Sequence, residues 1–172
     1  MTGRDGDSGP RPWPGDAAAR RLLAAVRRAC DEGEDLPGRL EAGLGAALDL
    51  FARDPELARL LAVQPYLGGD EEAFDAQQKW IARFGGLLSD AAAEDPRATA
   101  EPSFVAPFLI DGARFQIARL VLSGEGSDLL RLLPGMLEAM LAYYYEPGEP
   151  RRLARPAPGA GGSSTGNGGG RG

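Results

Sequence analysis

The sequence predicts an all-α fold, from three observations. Apolar residues recur at steps of three and four along every periodic stretch. No stretch alternates β-branched with polar residues, the pattern a half-buried strand requires. The periodic stretches are separated by acid-Pro, Gly-Gly and Ser-Gly steps, which start or stop helices.

Composition sets the boundaries. The chain has 172 residues, 43% hydrophobic and 26% charged, enough for the core of one domain. Residues 1–15 hold four glycines, three prolines and one aromatic, Trp13, too little apolar surface to offset the entropy of ordering the backbone. From Pro147 the chain runs into GAGGSSTGNGGGRG, a flexible-coil composition. Residues 1–15 and 147–172 are therefore expected to be disordered, flanking a helical domain over 16–146.

Six helices are predicted there. The first opens at Asp16 as cap and carries Leu22, Val26 and Cys30 at steps of four, with Leu23 beside them, ending near Gly33. The second carries Leu40, Leu44, Leu48 and Phe51 and stops at Arg53. Asp54-Pro55-Glu56 is a start signal, with a cap, a proline at the first helical position and an acid near the positive helix end. The third helix (Leu57, Leu60, Leu61) is short because Pro65 and Gly68-Gly69 close it.

Asp70, Glu71 and Glu72 open the fourth helix, which carries Phe74, Gln78, Ile81, Phe84 and Leu88 and ends at Asp95-Pro96. The fifth lies between Ser103 and Gly124, with Pro107 in its first turn or kinking it, and is apolar around nearly its whole circumference. The sixth starts at Ser127-Asp128 and runs from Leu129 to Tyr144, also too apolar for one buried face. An antiparallel pair with surplus apolar surface can meet its twofold mate in a four-helix bundle, so a homodimer is expected.

Several function classes are excluded. Histidine is absent and Cys30 is the one cysteine, which rules out a disulfide framework, a Cys/His zinc site and any Ser-His-Asp or Cys-His triad. No phosphate-binding Gly-rich loop is present, and Lys79 is the only lysine available as a base. No enzymatic activity, cofactor or metal is expected. Cys30 reads as a small core residue.

The net charge is −6; residues 1–15 balance to zero and residues 147–172 carry +3, which leaves −9 on residues 16–146. So acidic a body repels phosphates, and no DNA binding by this chain alone is expected. No apolar run approaches the ~20 residues of a membrane span and no leader opens the chain, so the expected compartment is the cytoplasm.

Two stretches resemble the C-terminal effector-binding and dimerisation domain of TetR/AcrR-family transcriptional regulators. One is DLPGRLEAGLGAALDLFARDPELARLLAVQP (Asp35–Pro65), a long helix broken by an acid-Pro start. The other is FLIDGARFQIARLVLSGEGSDLLRLLPGMLEAMLAYYYEPGE (Phe108–Glu149), where a small-residue helix ends at Ser-Gly and a Leu-Leu-Pro helix finishes in tyrosines. The likeness covers roughly residues 16–150. Family members place a three-helix DNA-binding unit before the position of Asp16; here fifteen residues without a helix-turn-helix stand there. The resemblance thus implies a multi-helix orthogonal bundle serving as the sensor and dimerisation half of a repressor, without its reader. The alternative is a structural or interaction homodimer that binds no ligand.

The resemblance also implies an effector pocket among the central helices, for a small apolar effector. Polar and aromatic residues that interrupt apolar stripes are its candidates: Gln78, Trp80, Phe84, Phe108, Asp111 and Phe115, with Phe104 and Gln116 beside them. Each has an ordinary alternative, core packing for the aromatics and an ion pair with Arg114 for Asp111. Gly112, Ala113, Leu120, Leu137 and Leu141 are expected near the twofold axis of the dimer.

Overall fold

Two aspartate caps set the helix register in the N-terminal half. The Asp35 carboxylate accepts the Gly38 N–H at 3.0 Å, with Pro37 in the first turn, and starts α2 (Leu36–Arg53). Asp54 accepts the Leu57 N–H at 3.1 Å and starts α3 (Pro55–Ala58) on Pro55. Each such cap contributes about 1 kcal/mol. Ahead of them, α1 (Asp16–Cys30) is capped by Gly15 rather than Asp16, which is its first helical residue. The Asp16 carboxylate is used elsewhere, accepting the Trp80 indole N–H at 3.0 Å and pairing with Arg20 at 2.5 Å.

The computed structural model describes residues 13–68, 71–99, 105–146 and 149–154, and among them there is no strand. The protein is all-α. After α3 the chain widens into a π-helical turn (Arg59–Val63) and tightens into a 3-10 turn (Gln64–Tyr66), so the short third helix is three successive pieces. α4 (Glu71–Glu94) is the longest element and stops at Asp95-Pro96. α5 (Val105–Leu122) carries Pro107 in its first turn, where a missing N–H leaves no bond unmade.

The predicted sixth helix is broken. A 3-10 segment (Gly126–Leu132) leads into α6 (Leu133–Leu141), because Pro134 has no N–H for the turn before it and starts a new helix instead. A last turn, α7 (Pro150–Leu153), lies in the stretch expected to be disordered and packs on α6. Trp13, also assigned to a disordered end, is half-buried against the core. In both cases a single large apolar side chain, Trp13 or Leu153, finds a place on the core that composition alone does not register. Residues 1–12 and 155–172, together with the predicted start Asp70, Ser103 and the candidate Phe104, lie outside the described residues.

Packing centres on α2, which lies against α1, α6 and the 3-10 segment, while α5 lies on α4 and the π-helical turn. α6 packs chiefly along α2, not along α5 as an antiparallel hairpin. One apolar cluster gathers Leu48, Phe51, Trp80 and Leu129; a second gathers Leu36, Leu88, Leu141 and Tyr144. Two glycines permit the closest crossings. A Cβ on Gly43 would stand 2.6 Å from the Cys30 Sγ on α1, and one on Gly85 would stand 3.0 Å from the Pro107 nitrogen on α5.

Candidate ligand cavity

Between α1, α2, α4, α5 and α6 the side chains leave a cavity of about 150 Å³. Helical periodicity builds its walls. Leu22, Val26 and Cys30, one stripe of α1, face Leu44 and Leu48 of α2 across it. Trp80 and Phe84 of α4 and Ile117 of α5 complete the apolar lining. A cavity a tenth of this volume already holds one water, yet apolar cavities of this order stay dry and admit small apolar molecules.

The indole of Trp80 shows how the lining is kept apolar. Its N–H is committed to Asp16 and the Arg83 guanidinium lies 4.5 Å from the ring centroid, so the ring itself is what meets the cavity. Cys30 donates its thiol hydrogen to the Arg39 carbonyl at 3.4 Å. Burial, with Asp31 beside it, pushes the thiol above its ordinary value, which makes it a neutral wall group rather than a nucleophile.

Polar groups reach the lining from α4 and α5. Gln77 is buried, and its amide lies beside the Arg114 guanidinium. Arg114 in turn donates to Asp111 at 2.5 Å, one helical turn back. Arg39 of α2 also lines the cavity, and it is paired with Glu94 and donates its Nε–H to the Gly33 carbonyl at 3.2 Å.

Of the residues singled out from sequence, Trp80 and Phe84 line the cavity. Gln78 is exposed, and its neighbour Gln77 occupies the inward position. Phe108 and Phe115 are exposed, and Asp111, half-exposed, points outward beside them. α5 is rotated so that Ile110, Ala113, Arg114 and Ile117 face inward. An all-round apolar helix offers no amphipathic signal to fix that rotation.

The residues expected at a dimer seam separate in the same way. Leu120, Leu137 and Leu141 are buried in the chain's own core, Ala113 lines the cavity, and Gly112 alone faces outward, with open space where a Cβ would stand. The residues missed were Gln77 and Arg114. Arg114 was legible only as a partner for Asp111, because nothing in a one-turn spacing says which member faces in.

A second polar cluster lies where α2 begins and α4 ends. The Asp95 side chain is 2% exposed. It accepts the Leu36 N–H at 3.3 Å, the Arg97 N–H at 2.9 Å, the Arg97 guanidinium and the Tyr145 hydroxyl at 2.7 Å. Arg97, with the help of these other donors, holds the carboxyl far below the usual carboxylate range. Burial, and then the Asp95 carboxylate, push the Tyr145 hydroxyl up. Thr99 donates both its N–H and its hydroxyl to the Tyr144 carbonyl, closing the junction. Every donor to the Asp95 carboxylate is internal, so the cluster clamps the start of α2 to the end of α4 and to Tyr145.

Among the described residues no helix is long and apolar enough to cross a membrane, and no group of metal-ligating side chains gathers. Comparison of the chain with known protein families, with curated proteins and with solved structures found no match.

Proposed function

We propose that the chain is the ligand-sensing and dimerising domain of a TetR-like transcriptional regulator of repressor type. The observation that carries the proposal is the cavity of about 150 Å³, walled by five helices and lined almost wholly by apolar side chains. Leaving such space unfilled costs a few kcal/mol, and native cores close it where they can, so retained volume is a mark of binding. α1 supplies one wall, and the resemblance puts the DNA reader ahead of α1. A molecule filling the cavity can therefore bias the position of α1 by its differential affinity for two arrangements. The acidic body, −9 over residues 16–146, repels DNA phosphates on balance, so DNA reading falls outside it.

Dimerisation belongs to the outward face of α5. Phe108, Phe115 and Leu122 are 62%, 54% and 62% exposed and follow each other at steps of seven, with Gly112 between the first two. Across a twofold axis at Phe115 the stripe is self-complementary. Phe108 falls opposite Leu122, and Asp111 opposite Arg119. This surface replaces Leu137 and Leu141 as the seam. It would serve equally a structural homodimer with no ligand, the second reading, which leaves the cavity without a role.

One measurement separates them, and a second tests the dimer that both require. Thermal unfolding of the full chain with small apolar compounds should show a ligand-dependent rise in Tm; no rise with any of them favours the structural dimer. Sedimentation should show a dimer at micromolar concentration that Phe115→Arg converts to a folded monomer. A wild-type monomer there would remove the dimerisation half of the proposal.

A further inference from the structure

The cavity's walls are helical with one exception. Among the described residues that line it, Trp13 alone lies outside a helix or helical turn, just ahead of Asp16, where α1 begins. Its side chain is half-buried on the same apolar cluster that holds Trp80 and Ile117.

Two features seat the ring there. The Trp13 carbonyl accepts the Asp16 N–H at 2.9 Å, which turns the chain into α1. Residue 15 is a glycine, and a Cβ on it would stand 2.3 Å from two carbons of the indole, so the ring lies directly on the Gly15 backbone. Gly15 has an ordinary φ of −77°, so glycine serves here for the space it leaves and not for its backbone freedom. Asp16 is a shared point. Its N–H goes to the Trp13 carbonyl, and its carboxylate accepts the Trp80 indole N–H at 3.0 Å. Both tryptophans of the chain therefore line the cavity and are tied to the first residue of α1.

The volume of about 150 Å³ is what remains with the Trp13 ring seated. An apolar molecule inside gains contact with the indole only while the ring is in place, and the seated ring shields that molecule from water. A ligand that binds one of two arrangements better shifts the population toward it. Occupancy should therefore hold the ring down, and the seated ring should in turn tighten binding by the same factor.

We propose that Trp13 is a ligand-contacting residue that closes over the cavity's occupant and so fixes the chain entering α1. This rests on the sensing function proposed above and adds to it the wall through which occupancy is read.

The test uses the full chain, labelled with fluorotryptophan, and toluene as the probe. Fluorine NMR resolves the tryptophans, the Trp13 resonance being the one lost in Trp13→Phe, and its shift between light and heavy water reads solvent exposure. Saturating toluene should lower the exposure of Trp13. The rise in Tm with toluene concentration gives an apparent Kd for each variant against its own unliganded state. Trp13→Ala should weaken binding about fivefold, the ordinary worth of one aromatic contact. Gly15→Ala keeps the tryptophan but removes its seat, and should weaken binding to a similar extent. Trp13→Phe, which keeps a ring, should lose less than Trp13→Ala.

Greater exposure of Trp13 with toluene, or exposure unchanged, overturns the closing role, because the ring is then displaced by the occupant or indifferent to it. Binding as tight in Trp13→Ala or in Gly15→Ala as in the wild type overturns it independently. Absence of a Tm rise with toluene in the wild type is a separate result: it removes the occupant, and with it both this role and the sensing function.

Discussion

Around Asp95, one buried carboxylate accepts from backbone, guanidinium and phenol donors, and three chain segments meet on it. Around Trp80, five helices converge and leave room for a small molecule, with three polar side chains, from α2, α4 and α5, in an otherwise apolar lining. Both regions have a buried polar side chain, and both contain arginine and an acid. They differ in how completely the sequence satisfies itself. A closed hydrogen-bond network fixes a single geometry, whereas retained apolar volume keeps a geometry that a ligand can still change. A sensor requires both, because a movable wall transmits nothing unless the far ends of its helices are held.

The largest effect expected is at the clamp. Asp95→Ala leaves the Tyr145 hydroxyl and the Leu36 N–H without their acceptor in a buried setting and frees Arg97 from its main partner, a loss of about 3 kcal/mol or more. Urea unfolding should show the loss as a lower midpoint at unchanged slope. A loss under about 1 kcal/mol would mean that the junction is as adaptable as the cavity.

Titration tests the same junction without a mutation. Asp95 has a folded value below its unfolded value of about 3.9, so its contribution is fully present above that value and is lost as pH falls through the folded value. Tyr145 has a raised folded value, so its contribution is present below the unfolded value of about 10 and is lost as pH rises beyond it. Stability should therefore hold across neutral pH and fall at both extremes. In Asp95→Ala the alkaline fall should shrink with the acid one. An alkaline limb that persists undiminished in the variant would show that Tyr145 is held by something other than Asp95.

How much of this was legible depends on the kind of signal each element carries. Caps and prolines act within a turn or two, so the start at Asp54 and the stops at Arg53 and Asp95-Pro96 could be read from residue order. Stripes on α1 and α2 are amphipathic and named their inward residues correctly, Leu22, Val26, Leu44 and Leu48. α5 is apolar all round, so the inward choice between Phe108–Asp111–Phe115 and Ile110–Ala113–Arg114 was made by packing against α4, which no local pattern encodes. The Asp95 clamp bonds Asp95 to residues up to 59 positions away on one side and 50 on the other, and Asp95 itself looked only like a helix terminator.

A smaller effect, of opposite sign, is expected at the cavity. Ala113→Leu adds three carbons into space the chain leaves unfilled, and leucine suits a helix, so stability should rise by about 1 kcal/mol. Reversible thermal unfolding should read it as a Tm increase of a few degrees. A decrease would mean that the wall is already at native density and that the two regions do not differ in packing.

The smallest effect is expected where the two regions look most alike. Gln77, like Asp95, is a buried polar side chain beside an arginine, 7% exposed as a residue against 6%. Its replacement by leucine keeps side-chain volume and leaves Arg114 its carboxylate, Asp111 at 2.5 Å, so no buried charge is left unpaired. An apolar group of similar size is also at home in the remaining lining. Gln77→Leu should therefore change stability by no more than about 1.5 kcal/mol, the low end for a contact with a charged group. Asp95→Leu, the matching substitution at the clamp, should cost several times that, because it removes a carboxylate on which backbone, guanidinium and phenol converge. Equal losses in the two variants, measured by urea unfolding in one buffer near pH 7, would mean that the polar side of the cavity is as tightly specified as the clamp and is there to hold the fold rather than to meet a ligand.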